Sequence, residues 1–340
     1  MQKRKISTLL VIVMMSALFI SGLGVVGFAA SEQEGMNMWI LAMQPGTSLY
    51  SYALTISRLL SETLPPNSRI EVIPRGGSAA NPTILNEGGA DIALCSSYLA
   101  AKAYRGIGEY EGRGPATNIR SVTGNMDIVY TWFLALKSYV DKTGFTTLEE
   151  MFSGPKNEWP RVGMKPAGST VPPDTDMLLR RTLGISLDEV RDAGKLIQAQ
   201  PAQIAEMLRD GRLDIYFESA ALNHAGLTEV TLTNDMVFIP YPKEGCEYLL
   251  ENGMYMATVP PGGYRGLTEY VTPASGNVII ANKNAPEDMI YLLIKTLVER
   301  REELARDNAA LSGWNPEEYS LGMVLPLHPG AKRYYDERGW

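Results

Sequence analysis

The chain has 340 residues, 45% hydrophobic and 20% charged, which supplies a sizeable core and excludes a disordered polymer. A formal net charge of −7 argues against nucleic acid or an anionic lipid surface as partner, although a pocket can still be locally basic. Two cysteines and two histidines, with no Cys-x-x-Cys and no His-x-x-x-His, offer no metal-ligand spacing.

In chain order, residues 1–30 come first and differ from the rest. "MQKRK" is basic, "STLLVIVMMSALFISGLGVVGF" carries no charge, and "GFAAS" supplies small residues. This is the pattern of a secretory signal peptide with cleavage after Ala29. An uncleaved anchor is the alternative, since the run is long enough to span a bilayer. Removing Lys3, Arg4 and Lys5 leaves a charge of −10.

"MNMWILAMQ" then reads as a strand broken by "PGT". The stretch "SLYSYALTISRLLSETLPP" has apolar residues at Leu49, Ala53, Ile56, Leu60 and Leu64, near the helical period. Thr47 or Ser48 caps this helix, and Pro65-Pro66 ends it. "RIEVIP" and "ADIALCS" are further strands, followed by helices through "NPTILNEG" and "YLAAKAYRG". The alternation predicts a parallel sheet with helices on both faces. Residues 119–138 read as one long strand-forming stretch leading out of this first unit.

"WPRVGMKPAGST" repeats the theme of strand, small-residue turn and helix. Pro201 and Gly211 bound a helix, and "LDIYFES" is the next strand. "MVFIPYP", "MYMATVP" and "NVIIANKN" are strands, whereas "PGGYRGLTEYVTPASG" reads as a loop. "APEDMIYLLIKTLVERREELA" is an amphipathic helix, and the tail from Pro329 to Gly339 is a short one. Cys95 and Cys246 either pair or remain two buried thiols.

Five turns follow strand ends: "QPGTSLY", "RGGSAAN", "CSSY", "KPAGST" and "ESAALN". In a parallel sheet such turns converge on one edge. Helix starts there present unpaired N–H groups and partial positive charge, which suit a carboxylate. Arg75 and Lys165 add full charge. Each residue also has a plainer reading. Thr47, Ser48, Ser78, Ser96, Ser97, Ser169 and Thr170 are equally candidates for caps. Arg75 is as readily solvated or ion-paired. Tyr50, Tyr130 and Trp132 suit a core as well as a pocket wall. Glu218 ends a strand, where it either receives a ligand amine or pairs with Lys165 or Arg75. No nucleophile elbow is present, and no histidine is identified near a strand end.

Several ordered pieces resemble the TAXI family of solute-binding proteins, the extracytoplasmic receptors of one class of TRAP transporters. They are "PGTSLYSYALTISRLLSETLP", "VIPRGGSAANPTILNEGGADIAL", "VGMKPAGS", "IAEMLRDGRLDIYF", "VPPGGYRG" and, most specific, "PLHPGAKRYYDERG". The resemblance covers nearly all of residues 36–340. It implies an α/β fold of two lobes like periplasmic binding proteins, each a mainly parallel sheet flanked by helices, with the ligand cleft between them. Residues 1–30 would be the leader, 31–134 with 265–340 lobe I, and 135–264 lobe II.

The implied function is capture of a small organic acid by hinge closure, in the glutamate, glutamine or 2-oxo dicarboxylate class. A TRAP permease would be the membrane partner of a monomeric, cofactor-free, periplasmic or extracytoplasmic, non-enzymatic protein. Gly46, Thr47, Ser48, Tyr50, Arg75, Gly77, Ser78, Asn81, Ser96 and Ser97 would form one wall. Lys165, Gly168, Ser169, Thr170 and Glu218 would form the other. Two departures, Glu218 in "ESAALNHAG" and the form of "PAGSTVPPD", leave the ligand open. A sensor subunit, or a secreted enzyme on the same scaffold, are the rival readings. His328 and the tail read as packing or docking features.

Overall fold

Ile92–Ser96 is an apolar run with every residue buried, the pattern of a strand covered on both faces. It forms the middle of the first half of the molecule. The computed structural model describes residues 35–320 and 325–340, so the expected leader lies outside the described residues. The first half begins with β1 (Asn37–Leu41), α1 (Ser48–Ser61), β2 (Arg69–Ile73), α2 (Asn81–Asn86), β3 (Ile92–Ser96), α3 (Ser97–Arg105) and β4 (Ile119–Thr123). The chain then crosses into β5 (Ile128–Leu136), α4 (Lys137–Thr143), α5 (Leu148–Met151), β6 (Val162–Met164), α6 (Val171–Leu183) and α7 (Leu187–Asp192). β7 (Leu196–Gln198), α8 (Pro201–Arg209), β8 (Ile215–Ala221), α9 (Ala225–Thr233), β9 (Met236–Phe238), α10 (Lys243–Glu251) and β10 (Tyr255–Val259) follow. β11 (Tyr270–Asn282) returns to the first half, which closes with α11 (Glu287–Glu299), α12 (Arg301–Asp307) and α13 (Pro329–Arg338).

β1 pairs in parallel with β2 and β3, and β6 pairs in parallel with β7 and β8. These two triplets are the parallel α/β units expected from the alternating pattern. Antiparallel strands join them into one mixed sheet of order β2-β1-β3-β11-β5-β8-β6-β7. β11 runs against β3 with its second part and against β10 and β5 with its first. β5 runs against β8 and β9.

Helices cover both faces of each half, and side chains alternate accordingly. In β5, Trp132 and Leu134 join the core under α8 and α9, while Phe133 and Ala135 join the core under α5, α6 and α7. Trp132 is fully buried and stacks on Tyr270, so it belongs to the core. In the first half, α1, α11 and α13 cover one face of the sheet, and α2 and α3 cover the other.

Two expectations change. Residues 119–138 are two strands, because the backbone turns at Asn125, where φ is +49°. β4 stays beside β11 in the first half and β5 enters the second. The stretch read as a loop before residue 277 contains the first part of β11. Pro273 is accommodated there by side-chain bonding. The Thr131 hydroxyl donates to the Pro273 carbonyl, and the Thr272 hydroxyl donates to the Thr131 carbonyl.

The two crossings lie side by side. The Met126 N–H donates to the Asn277 carbonyl, and the Asn277 N–H donates to Asp127 Oδ1. Asp127 Oδ2 accepts from Tyr52 of α1 and from Asn277 Nδ2. Cys95 and Cys246 are free, buried thiols; burial pushes Cys246 up to about 11 and Cys95 higher still.

Candidate functional site

The strand-end turns of both halves surround a cavity of about 40 Å³. Met43, Thr47, Ser48, Leu49, Ser78 and Ser96 line it from the first half. Val129, Lys165, Ser169, Thr170, Ser219 and Ala220 line it from the second, with Asn277 at the crossing.

Three helices begin at this cavity. Gly46, at φ +88°, turns the chain into α1. Thr47 is its N-cap: its hydroxyl accepts from the Tyr50 N–H and donates to the Gln44 carbonyl. α3 starts after Ser96 and α6 after Thr170, and neither residue caps its helix with a side-chain bond. The first-turn N–H groups of α3 therefore remain available, whereas in α6 Pro172 and Pro173 carry none and the Asp174 N–H bonds the Thr170 carbonyl, which leaves the Val171 N–H. The macrodipoles place roughly half a positive charge at each start. Ser78, Ser96, Thr170 and Ser219 add hydroxyl-bearing residues to the lining.

Lys165 is the cation at the cavity. Its Nζ lies 2.5 Å from Glu218 Oε1 and donates to the Ser219 carbonyl at 3.0 Å. Glu218 also accepts from the Tyr216 hydroxyl and from the Ser219 N–H. Of the two sequence readings for Glu218, the ion pair is the one observed. The carboxylate sits behind Lys165 and outside the cavity lining.

The "RGGSAAN" turn is scaffold more than cradle. Arg75 is exposed and outside the lining. Asn81 is fully buried: its Oδ1 accepts from the Gly77 N–H, and its Nδ2 donates to the carbonyls of Ala42 and Leu94. It thereby pins the turn to β1 and β3. Gly77 and Gly168 meet across the two halves. A Cβ on Gly77 would stand 2.4 Å from the Gly168 carbonyl oxygen, and one on Gly168 would stand 2.6 Å from that of Gly76. The Ala79 N–H donates to the Gly168 carbonyl at 3.1 Å, joining the halves directly. Ser97 is buried at the first position of α3, outside the lining. Ser169 lines the cavity but donates its hydroxyl to the Pro166 carbonyl.

Two residues of the site were not singled out from sequence. Asp174, near the start of α6, accepts the Tyr98 hydroxyl at 2.8 Å on both oxygens, a second bond between halves. Burial pushes its carboxyl up to about 7. His224 stands three residues beyond β8, so the expectation of no histidine near a strand end is corrected. It caps α9, with Nδ1 accepting from the Leu227 N–H. Burial first, then Lys165, push it down to about 4, which leaves a neutral ring with its proton on Nε2. The signal lies in "ESAALNHAG": the strand read as "LDIYFES" runs on to Ala221, which brings His224 near its end. His328 is a buried N-cap of α13, accepting from the Gly330 N–H.

Gly46 and Tyr50 line a second pocket of about 410 Å³, which shares Thr47 and Ser48 with the central cavity. It opens between α1 and the α12 end on one side and the turn after β8 on the other.

The family model described as NMT1-like family matches residues 40–339. Among solved structures, the chain is similar to MatC from Rhodopseudomonas palustris with bound malate. The two share 12% identity over 89% of this chain and 98% of that one, with a TM-score of 0.55. It is also similar to a protein of Bordetella bronchiseptica RB50, at 12% identity over 89% and 98% of the chains and a TM-score of 0.50. A structure described as a periplasmic transporter matches at 11% identity over 90% and 95%, also with a TM-score of 0.50. At these identities the structural likeness speaks for the fold alone.

Proposed function

We propose that this chain, which belongs to the NMT1-like family, is an extracytoplasmic solute-binding protein for a small organic acid. One observation carries the reading: three helix starts and the buried Lys165, drawn from both halves, surround one cavity. A carboxylate there accepts N–H, hydroxyl and ammonium donors together. A group held by residues of both halves couples its binding to their closure about a hinge. The crossings at 124–127 and 276–277 are the hinge of this reading. Residues 31–134 with 265–340, and residues 135–264, are its two lobes. Delivery to an ion-driven TRAP permease of the TAXI class is part of this reading, supported by the resemblance of the motifs quoted above.

Glu218 is spent on Lys165, so the site has lost its receptor for a ligand amine. This favours a simple or 2-oxo acid over an amino acid. Native mass spectrometry of freshly purified protein should show a copurified organic acid, released unchanged. Small-angle scattering should show compaction when that acid is added back. A non-acidic copurified molecule, or chemical turnover of the bound one, would overturn the proposal.

A further inference from the structure

The central cavity, at about 40 Å³, has room for little more than one head group, against the roughly 300–1,000 Å³ of ordinary small-ligand sites. The rest of a ligand seated there must go somewhere. The 410 Å³ pocket is lined from both halves and adjoins the cavity at Thr47 and Ser48, which makes it the neighbouring space for the rest of a ligand.

Its wall is chemically one-sided. Leu54, Leu222, Ala225, Ala309 and Ala310 contribute apolar surface. Among the polar groups beside them, Ser48, Tyr50 and Asn223 are uncharged, and several others are committed to the protein. The Ser51 hydroxyl donates to Asn308 Oδ1, Asn308 Nδ2 donates to Thr55, and the Tyr52 hydroxyl donates to Asp127. Asp307 is paired with Arg58 at 2.6 Å. Among the described residues no lysine or arginine lines this pocket, and His224 is neutral. A second carboxylate placed here would be partly desolvated without a cation, a costly arrangement.

We infer that the ligand is a monocarboxylate with an uncharged aliphatic or aromatic chain, its head in the central cavity and its chain in the 410 Å³ pocket. The inference rests on the organic-acid reading above and narrows it away from dicarboxylates such as 2-oxoglutarate.

Calorimetric titration of the native protein with acetate, butanoate, hexanoate and octanoate tests this, with succinate, adipate and suberate as length-matched diacids. Affinity should rise about fourfold for each added methylene until the pocket is full. Each diacid should bind at least about tenfold more weakly than its matched monoacid. In Ala309→Trp, where the indole occupies the pocket, the gain with chain length should disappear. Affinity independent of chain length, or diacids binding tighter than monoacids, overturns the inference while leaving the organic-acid reading standing. Failure of every acid to bind overturns both.

Discussion

Replacing Lys165 with Met would leave the Glu218 carboxylate buried without its cation. Nζ lies 2.5 Å from Oε1, with the side chains 7% and 0% exposed. At an effective dielectric near 20, that separation corresponds to about 7 kcal/mol of attraction, most of which offsets the desolvation of two ions. The measurable loss is therefore the cost of the stranded partner, about 3–5 kcal/mol. Bonds from the Tyr216 hydroxyl and the Ser219 N–H still hold the carboxylate, which puts Lys165→Met at the lower end. Glu218→Gln strands the ammonium, which keeps the Ser219 carbonyl, and should cost a similar amount. The double variant Lys165→Met/Glu218→Gln removes both charges and should return to within about 1–2 kcal/mol of native.

Urea unfolding followed by tryptophan fluorescence gives all four stabilities and hence the coupling energy. Titration with organic acids is run alongside. Both variants lacking Lys165 should lose binding. A double variant whose loss equals the sum of the single losses would refute the counter-ion assignment. Glu218→Gln with native stability but no binding would place Glu218 against the ligand instead.

Two further outcomes follow from the contact between the halves. Asp174 is pushed up to about 7 by burial, with Glu109 adding to the rise and the Tyr98 hydroxyl and Lys102 opposing it. Because that lies above the unfolded value of about 3.9, its contribution is fully present below the unfolded value and is lost as pH rises through 7. Native stability should therefore fall on the order of 3 kcal/mol from pH 4 to pH 8 through this group, and Asp174→Asn should flatten that part of the profile in urea titrations. Gly168→Ala places a side chain at φ +94° and a Cβ 2.6 Å from the Gly76 carbonyl oxygen. The strain of about 1–2 kcal/mol, and a clash felt only when the turns touch, should weaken ligand affinity about tenfold or more. Unchanged affinity by calorimetry would show that the Gly77–Gly168 contact is not part of the ligand-bound state.

Much of the fold was legible because its causes are local. The run "DIALC" between two helices demanded a doubly covered strand, and β3 is one. Helix α1 begins after Thr47 and ends before Pro65, as capping and proline chemistry require. The errors fell where long-range pairing outweighs local preference. "TEYVTPASG" looked like loop because of its proline and glycine, yet β10 and β5 draw it into β11. Nothing local announces that Asn125 turns the chain between halves.

The candidate site shows the same division residue by residue. Small and hydroxylated residues at helix starts are a local signature, and Thr47, Ser48, Ser78, Ser96, Lys165, Ser169 and Thr170 do line one cavity. Whether a side chain faces that cavity or supports it is decided by partners far along the chain. Arg75 turns to solvent, Asn81 is consumed by β1 and β3, and Glu218 is consumed by Lys165.

What the sequence by itself determined is the alternation of strand and helix, the turn chemistry at strand ends, and hence an α/β frame with donor-rich edges. Periodicity, caps and glycine turns act within a few residues, so they can be read without the fold. Only the tertiary structure decided which donors remain free, that two glycine turns touch, that Asp174 is buried and His224 half-buried at the junction, and that one charge is neutralised at the cavity. Those properties depend on burial and on partners brought together by packing.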